Sequence, residues 1–400
     1  MLVPSEFESV DWGKNNQKID YGKIYENRIG VLKNIVPRFE KSEEYDSFCK
    51  ENAFWLDDYS LFMAYKEMFS GKPFFEWKKP LPEVGERECE CWKIIQFLFF
   101  SQWKKLKAYV NSKGIKIIGD LPIYVAHDSA DIMGSPQLFE LDSDGKPVSV
   151  AGVPPDSFSP EGQLWGNPVF DWEYMQKSGY EWWIKRISHS MKLFDVIRID
   201  HFRGFSSYYS VPCGNENAVN GIWRDGPSAE LFKAVRKALG EVDIIAEDLG
   251  FIDDGVRTLM KETGFPGMKI LQFAFDSRES SDYLPHNYDR NCVVYIGTHD
   301  NDTLAGWFEN ADGKDVEFAK KYLRLNVDEG YIEGVIKSAM SSVADTVILT
   351  MQDLLCLGSE ARMNFPSVPF GNWGWRTLKT DFTPELSRKL FEITKLYGRI

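Results

Sequence analysis

The stretch DVIRIDHFRGF, residues 195–205, carries the clearest fold signal in the chain. An apolar run ends in charged residues, and a turn containing a glycine follows. Because side chains alternate across a strand, Arg198 and Asp200 are predicted to lie on the same face. At the mouth of a barrel the guanidinium would favour the ionised carboxylate and orient it, as a nucleophile requires. A buried ion pair that only stabilises the strand end is the alternative interpretation.

Similar apolar runs occur on both sides of this stretch. Each ends at a polar or acidic residue and is followed by a loop and a helical segment. Together they predict strands over 115–125, 196–201, 242–247, 268–275, 292–299 and 346–351. Apolar residues at helical spacing predict helices over 180–193, 228–239, 255–263 and 316–325. This alternation indicates an α/β fold with a parallel sheet covered by helices.

Two α/β architectures fit this alternation, an open doubly wound sheet and a closed (β/α)8 barrel. No glycine-rich phosphate loop follows a predicted strand, which disfavours the nucleotide-binding open sheets. Barrel enzymes carry their chemistry at the C-terminal ends of several strands. Acidic residues lie at or next to such ends here: Asp120, Asp200, Glu247 and Asp300. The sequence therefore predicts a (β/α)8 TIM-type barrel.

The first 113 residues differ in texture from the rest. Helical periodicity is present over 21–39, 45–50, 56–69 and 86–111, and Asp57 is predicted to cap the third of these helices. We therefore divide the chain into a helical insertion region, 1–113, and a catalytic barrel, 114–400. Within the barrel, the stretch 126–172 is rich in Pro, Gly, Ser and Asp and is predicted to be a long active-site loop.

Composition excludes several classes of protein. A formal net charge of −13 without a dense Lys/Arg cluster argues against a nucleic-acid partner. No uninterrupted apolar stretch approaches the roughly 18 residues that a bilayer span needs. The six cysteines have no C-x-x-C spacing and are predicted to be reduced thiols, and no calcium-type cluster of Asp and Asn is present. The N-terminus has no secretory pattern, so a cytoplasmic location is predicted.

Aromatic residues make up 14% of the chain. They fit either a large aromatic core or flat platforms for sugar rings. Composition leaves both interpretations open.

Acidic side chains at three strand ends form a predicted catalytic set. Glu247 lies in DIIAED, 243–248, where burial near another carboxylate would favour the protonated form that a general acid requires. Asp300 follows His299 in GTHDND, 297–302. Each alone is compatible with a salt bridge or a helix cap. With Asp200 they match retaining glycoside chemistry, which needs a nucleophile and an acid/base, and a third carboxylate can hold the sugar hydroxyls.

Seven segments carry a family resemblance: GDLPIYVA (119–126), AGVPPDSFSPEGQLWGNPVFDW (151–172), IRIDHFRGF (197–205), IIAEDLG (244–250), LQFAF (271–275), GTHDNDT (297–303) and MNFPSVPFGNWGWR (363–376). In this order they resemble the 4-α-glucanotransferases, also called amylomaltases or disproportionating enzymes, of glycoside hydrolase family 77. The resemblance runs from about residue 15 to the C-terminus. It implies transfer of α-1,4-glucan segments from a maltooligosaccharide donor to the 4-hydroxyl of a glucose or glucan acceptor. The implied mechanism is a retaining double displacement through a covalent glycosyl-Asp intermediate.

The resemblance also implies a role for individual residues. Asp200 is the implied nucleophile, Glu247 the acid/base and Asp300 the transition-state stabiliser. The implied substrate contacts are Arg198, His299, Asp120, Asp156, Trp165, Phe273 and Asn364. For Trp165, Phe273 and Asn364 plain packing is the alternative. His201 is on the other strand face and is predicted to be structural. The family needs no metal or organic cofactor.

In the family, a preceding segment carries the first two barrel strands, and Met1 falls after that segment. The predicted strands are therefore expected to be barrel strands 3–8. Two other functions remain open. An α-amylase-type retaining hydrolase uses the same carboxylates and releases the intermediate to water, and a catalytically inactive truncated barrel would only bind carbohydrate. The VPPD-to-WGNP loop favours the transferase.

Overall fold

Short strands alternate with helices after the N-terminal helical region. The computed structural model describes residues 3–155, 159–250, 252–278, 280–366 and 368–400. The strands are β1 Ile118–Leu121, β2 Ser149–Val153, β3 Gln163–Pro168, β4 Val196–Ile199, β5 Ser207–Pro212, β6 Ile222–Asp225, β7 Ile244–Ala246, β8 Gly267–Ile270, β9 Cys292–Tyr295 and β10 Thr346–Ile348. The helices are α1 Pro4–Glu8, α2 Tyr21–Ile35, α3 Glu43–Met68, α4 Glu86–Ser112, α5 Ala130–Gly134, α6 Trp172–Lys177, α7 Glu181–Leu193, α8 Ala229–Leu239, α9 Asp254–Thr263, α10 Leu304–Asn310, α11 Gly313–Leu323, α12 Tyr331–Met340, α13 Met351–Leu354 and α14 Pro384–Leu396.

The chain forms two units. The first comprises Met1–Phe7 and Ile29–Phe265, and the second comprises Glu8–Arg28 and Pro266–Ile400. The predicted division at residue 113 is the point, inside the first unit, where helical periodicity gives way to short apolar runs. This division stays a prediction.

Three parallel strands position the acidic residues of the first unit. β4 pairs with β1 on one side and with β7 on the other, and Asp120 lies opposite Arg198 in the register. The ladder continues past β4 and β7, because the N–H of Asp200 donates to β1 at 3.0 Å and the N–H of Glu247 donates to the carbonyl of Ile199 at 3.1 Å. The C-terminal ends of the three strands are therefore level, and their acidic residues lie at the same edge.

Amphipathic helices cover these strands because each buries one apolar face. Leu231, Phe232 and Val235 of α8 are buried in the same core as the strand residue Ile199. The N-terminus of α9 is capped by Asp253, whose side chain accepts a hydrogen bond from the N–H of Val256. With α7, α8 and α9 each following a strand, the first unit shows the predicted alternation of strands and helices.

The stretch predicted to be a long loop, 126–172, contains regular structure. β2 pairs antiparallel with β3 and with β5, which gives a sheet in the order β3-β2-β5-β6. Gly152 on β2 permits this pairing, because a Cβ there would lie 2.4 Å from the carbonyl oxygen of Gln163. Part of the predicted loop is therefore a fixed sheet, which holds Trp165 on β3.

The N-terminal region is helical as predicted, with one correction. α3 is continuous, and Ser42 caps it by accepting from the N–H of Tyr45. The predicted cap at Asp57 is wrong, since Asp57 lies within α3 and pairs with Lys93. α3 therefore runs through residues 51–55, which lie between two of the predicted helical stretches.

The second unit has its own parallel strands. β9 pairs with β8 and with β10, and Tyr295 lies opposite Ile270 and Ile348. The run predicted as one strand over 268–275 divides after Ile270, and Leu271–Phe275 form a 3-10 helix. Each predicted strand run overlaps an observed parallel strand, which confirms the α/β class. Within the described ranges, none of the helices combines the length and the hydropathy that crossing a bilayer requires.

Candidate active site

Arg198 is the centre of an acidic cluster in the first unit. Its side chain is only 8% exposed. Nη1 donates to Asp120 Oδ2 at 2.6 Å, and Nη2 lies 3.3 Å from Asp200 Oδ1 and 3.4 Å from Glu247 Oε1. Burial lowers the pKa of Arg198, but the charges of these carboxylates outweigh burial and raise the pKa overall. One guanidinium therefore holds three carboxyl groups that come from three neighbouring strands.

Asp200 and Glu247 differ in their environments. The Asp200 side chain is 43% exposed, whereas the Glu247 side chain is 17% exposed. Burial and the nearby charge of Asp200 raise the pKa of Glu247 to about 8, although Arg198 acts in the opposite direction. Glu247 is therefore protonated at neutral pH and lies beside the accessible side chain of Asp200. This is the division into acid and nucleophile that retaining glycoside chemistry requires.

His201 contributes a backbone group that the sequence did not predict. Its φ of 52° is left-handed, and its N–H donates to the carboxyl of Glu247. Burial lowers the pKa of the imidazole to about 4, so the ring is neutral at pH 7. Gly204 allows the ring to approach, because a Cβ at Gly204 would lie 3.0 Å from it and 2.8 Å from Ile123. The predicted structural role therefore includes positioning Glu247.

Trp165 lies next to this cluster. Its ring meets the His201 ring edge-on, with the centroids 4.7 Å apart. The indole N–H donates to Gln163 Oε1 at 3.2 Å, and the residue is 37% exposed. An exposed indole held from both sides is a suitable platform for a sugar ring. Asp156, predicted from the same stretch, lies outside the described residues.

A second cluster, in the second unit, surrounds Asp300. Asn364 Nδ2 donates to Asp300 Oδ1 at 2.5 Å, and His299 Nε2 lies 3.4 Å from Asp300 Oδ2. The N–H of Asn364 also donates to the carbonyl of His299 at 3.0 Å. Phe273, the other predicted residue of this unit, packs against Tyr283 with the ring centroids 5.8 Å apart. The structure thus brings together three of the four predicted residues of this unit.

Sequence reasoning missed two residues of the second cluster. Arg362 Nη2 donates to the carbonyl oxygen of Asp300 at 2.6 Å, and its Nε donates to the carbonyl of Asn364 at 2.9 Å. The ring of Trp373 lies 4.9 Å from that of His299. A partner that is a backbone carbonyl leaves no side-chain pattern, so no signal pointed to Arg362. Trp373 lies in the segment 363–376, which also contains Trp375. The sequence therefore did not indicate which of the two rings contacts His299.

Comparison with known proteins agrees with this geometry. The family model for glycoside hydrolase family 77, 4-alpha-glucanotransferase, matches residues 5–380. The 4-alpha-glucanotransferase of Clostridium butyricum is 46% identical over 414 residues, covering 100% of this chain and 85% of that protein. The Streptococcus pneumoniae 4-alpha-glucanotransferase is 44% identical over 416 residues, covering 100% and 82%.

A solved structure is also similar over almost the whole chain. The amylomaltase from Streptococcus agalactiae in complex with acarbose has a TM-score of 0.94 and 40% identity. The similarity covers 99% of this chain and 84% of that chain. The resemblance and the fold class predicted from the sequence are therefore confirmed.

Proposed function

The chain belongs to the 4-alpha-glucanotransferase family, and from this premise we propose that it transfers α-1,4-glucan segments by a double displacement through a covalent intermediate. The donor is a maltooligosaccharide, and the acceptor is the 4-hydroxyl of glucose or of another glucan. The observation that carries the proposal is the single guanidinium of Arg198 that holds Asp120, Asp200 and Glu247 together. The complex of the Streptococcus agalactiae amylomaltase with acarbose supports a carbohydrate ligand.

In the first step, an Asp200 carboxylate oxygen attacks the anomeric carbon of the donor. The bond from that carbon to the glycosidic oxygen breaks, and Glu247 gives its proton to the departing oxygen. Glu247 suits this role because its pKa is raised to about 8 and the group is protonated at neutral pH. Asp200 suits the nucleophilic role because its side chain is open to a substrate and oriented by Arg198.

In the second step, the ester on Asp200 is neutral. The negative charge of Asp200, which contributes to the raised pKa of Glu247, is then absent. The pKa of Glu247 falls, and Glu247 becomes a better base for the 4-hydroxyl of the acceptor. The acceptor oxygen attacks the anomeric carbon, the ester bond breaks, and the anomeric configuration of the donor is retained.

The remaining predicted residues receive supporting roles. We assign Asp300 to stabilise the oxocarbenium-like transition state, with its carboxylate oriented by Asn364 and His299. Asp120 neutralises part of the Arg198 charge and fixes the guanidinium. The exposed aromatic rings of Trp165 and Phe273 are assigned to stack on glucose units.

Transfer and hydrolysis differ only in the acceptor. Water is present at about 55 M, so a transferase must bind and orient a sugar hydroxyl with a higher effective concentration near Glu247. Given maltotriose, the chain should form glucose and a ladder of longer α-1,4-glucans while the number of reducing ends stays nearly constant. Chromatography of the products and a reducing-end assay measure both quantities.

The Asp200→Asn chain is the matched control, because it keeps the binding residues but has no nucleophile. A steady rise in reducing ends, with no product longer than the donor, would identify a hydrolase and reject the transferase assignment. Absence of any reaction in the unmutated chain would reject both.

A further inference from the structure

A cavity of about 440 Å³ lies in the first unit between α3 and α7. α5, α6 and the loop after β1 complete its lining. Its volume is within the range of roughly 300–1,000 Å³ that is usual for small-molecule sites. Arg198, Asp200 and Glu247 do not line it, so the cavity is distinct from the acidic cluster.

Aromatic side chains form much of the cavity wall. They are Phe54, Trp55, Tyr59, Tyr174, Trp182 and His189. Phe54 is 43% exposed, and its ring centroid lies 6.0 Å from that of His189, which in turn lies 5.2 Å from that of Trp55. These rings pack against one another, and the ammonium group of Lys185 lies 5.9 Å from the centroid of the Phe54 ring. Such rings bind the C–H faces of a sugar well.

The charged groups of the lining favour a neutral ligand over an anion. Lys185 is paired with Glu181 at 2.6 Å. The Arg186 guanidinium donates to two backbone carbonyls of the loop after β1, at 2.7 and 3.3 Å. Lys185 is therefore paired with a carboxylate, whereas the carbonyls that hold Arg186 leave its charge in place. Three carboxylates, those of Asp58, Asp131 and Glu181, line the cavity against these two cations, and carboxylates can accept hydrogen bonds from hydroxyl groups.

His189 also lines the cavity. Burial lowers the pKa of its imidazole to about 4, so the ring is neutral. It therefore adds no positive charge to the lining that would attract an anion.

We propose that this cavity is a non-catalytic carbohydrate site that binds one or two glucose units of an α-glucan. Aromatic faces for the C–H surface of the sugar and carboxylates for its hydroxyls are both present, and the carboxylates of the lining outnumber its cations. The choice of an α-glucan rests on the proposed function. The cavity would hold a glucan on the face of α3 and α7, separately from the residues that break and form bonds.

The test is a calorimetric titration of the full chain with maltotriose in an Asp200→Asn background, which prevents turnover. Two sites per chain are expected. Adding Phe54→Ala should weaken one of them about tenfold, because a stacked aromatic ring contributes on that scale. Adding Ser178→Trp should fill the cavity and abolish the same site without removing any wall. Phe99→Ala removes an exposed ring of α4 that does not line the cavity, and it should leave both sites unchanged.

A single site that neither Phe54→Ala nor Ser178→Trp affects overturns the proposal, as do two sites that neither substitution affects. Titration with calcium chloride or spermidine tests the competing class of ligand, and cation binding that depends on Phe54, without sugar binding, also overturns it. Thermal melts show whether each variant is folded. The transfer assay on the unmutated chain is scored separately, so a failure of the proposed function is distinguished from a failure of the cavity site.

Discussion

The two acidic clusters each contain an arginine, but the arginines contact different kinds of group. Arg198, in the first unit, contacts the side-chain oxygens of Asp120, Asp200 and Glu247. Arg362, in the second unit, donates to two backbone carbonyls, one of which belongs to Asp300. The first arginine therefore lowers the pKa of Glu247 and orients the carboxyl groups around it, whereas the second fixes the position of a backbone.

This difference separates two ways of preparing a carboxylate for catalysis. Side-chain contacts with a cation alter protonation and orientation together. An arginine that contacts only backbone carbonyls does not bond to the carboxylate itself. One carboxylate oxygen of Asp300 instead accepts a hydrogen bond from the neutral amide of Asn364. Substitutions in the first cluster should therefore change pH profiles, while substitutions of Arg362 should change rates only.

The largest effect is expected when the nucleophile itself is neutralised. Asp200→Asn should lower kcat by about 10⁴-fold or more, because an amide cannot form the glycosyl ester. Binding of maltotriose should persist, since the substitution nearly preserves the shape of the side chain. Transfer assays and calorimetry measure the two properties. Asp225→Asn, an exposed aspartate outside the cluster, is the control, and transfer above about 1% in the Asp200→Asn chain would contradict the assigned role.

The next largest effect should follow removal of the charge of Arg198. Arg198→Met should lower kcat by about 10²- to 10³-fold, comparable to the loss of a preorganised electrostatic group. Arg198 lowers the pKa of Glu247, so without it this pKa rises further. The activity of a general acid is lost above its pKa, and the basic limb of the kcat profile should therefore move to higher pH. An unmoved basic limb would show that Arg198 has only a packing role.

A smaller effect is expected from Arg362→Met. Loss of its hydrogen bonds should displace the backbone at Asp300 and lower kcat by about 10- to 100-fold. The basic limb of the pH profile should stay in place, because the lost partners are uncharged carbonyls. Arg362→Lys should recover part of the rate. A shift of the limb in either variant would remove the distinction between the two arginines.

The smallest effect concerns stability. A raised pKa means that folded Glu247 binds a proton more readily than unfolded Glu247. Between the ordinary carboxyl pKa and the raised value, the free energy of unfolding therefore falls as pH increases. Glu247→Gln should remove this slope and raise the melting temperature at pH 8 by about 2 °C. Equal differences in melting temperature between pH 5 and pH 8 in both chains would contradict the raised pKa.

The sequence predicted the strands that carry the first cluster because their signals are local. The apolar runs that became β4 and β7 each end one residue before a carboxylate. Strand alternation was enough to place Arg198 and Asp200 on one face, where the structure separates their charged atoms by 3.3 Å. The strand-end pattern also indicated Asp120, and the family resemblance implied that it contacts the substrate, but no local pattern links it to Arg198.

The features that the sequence did not predict depend mostly on partners far away in the chain or on main-chain groups. The pairing of β2 with β5 joins Val150 to Val211, and neither segment shows this in its own pattern. Arg362 and the backbone of His201 act through main-chain groups, which every residue possesses. α3 also continues through residues 51–55, where the apolar periodicity of the sequence is interrupted.

The left-handed backbone at His201 also limits which residues can replace this histidine during evolution. Few residues other than glycine accept that conformation, and asparagine and aspartate are the main ones. Both are a single base change from a histidine codon, but an aspartate would place another negative charge beside Asp200 and Glu247. Asparagine would keep the backbone conformation but lose the ring that meets Trp165. Valine or isoleucine at this position would strain the left-handed backbone that directs the N–H of residue 201 to Glu247.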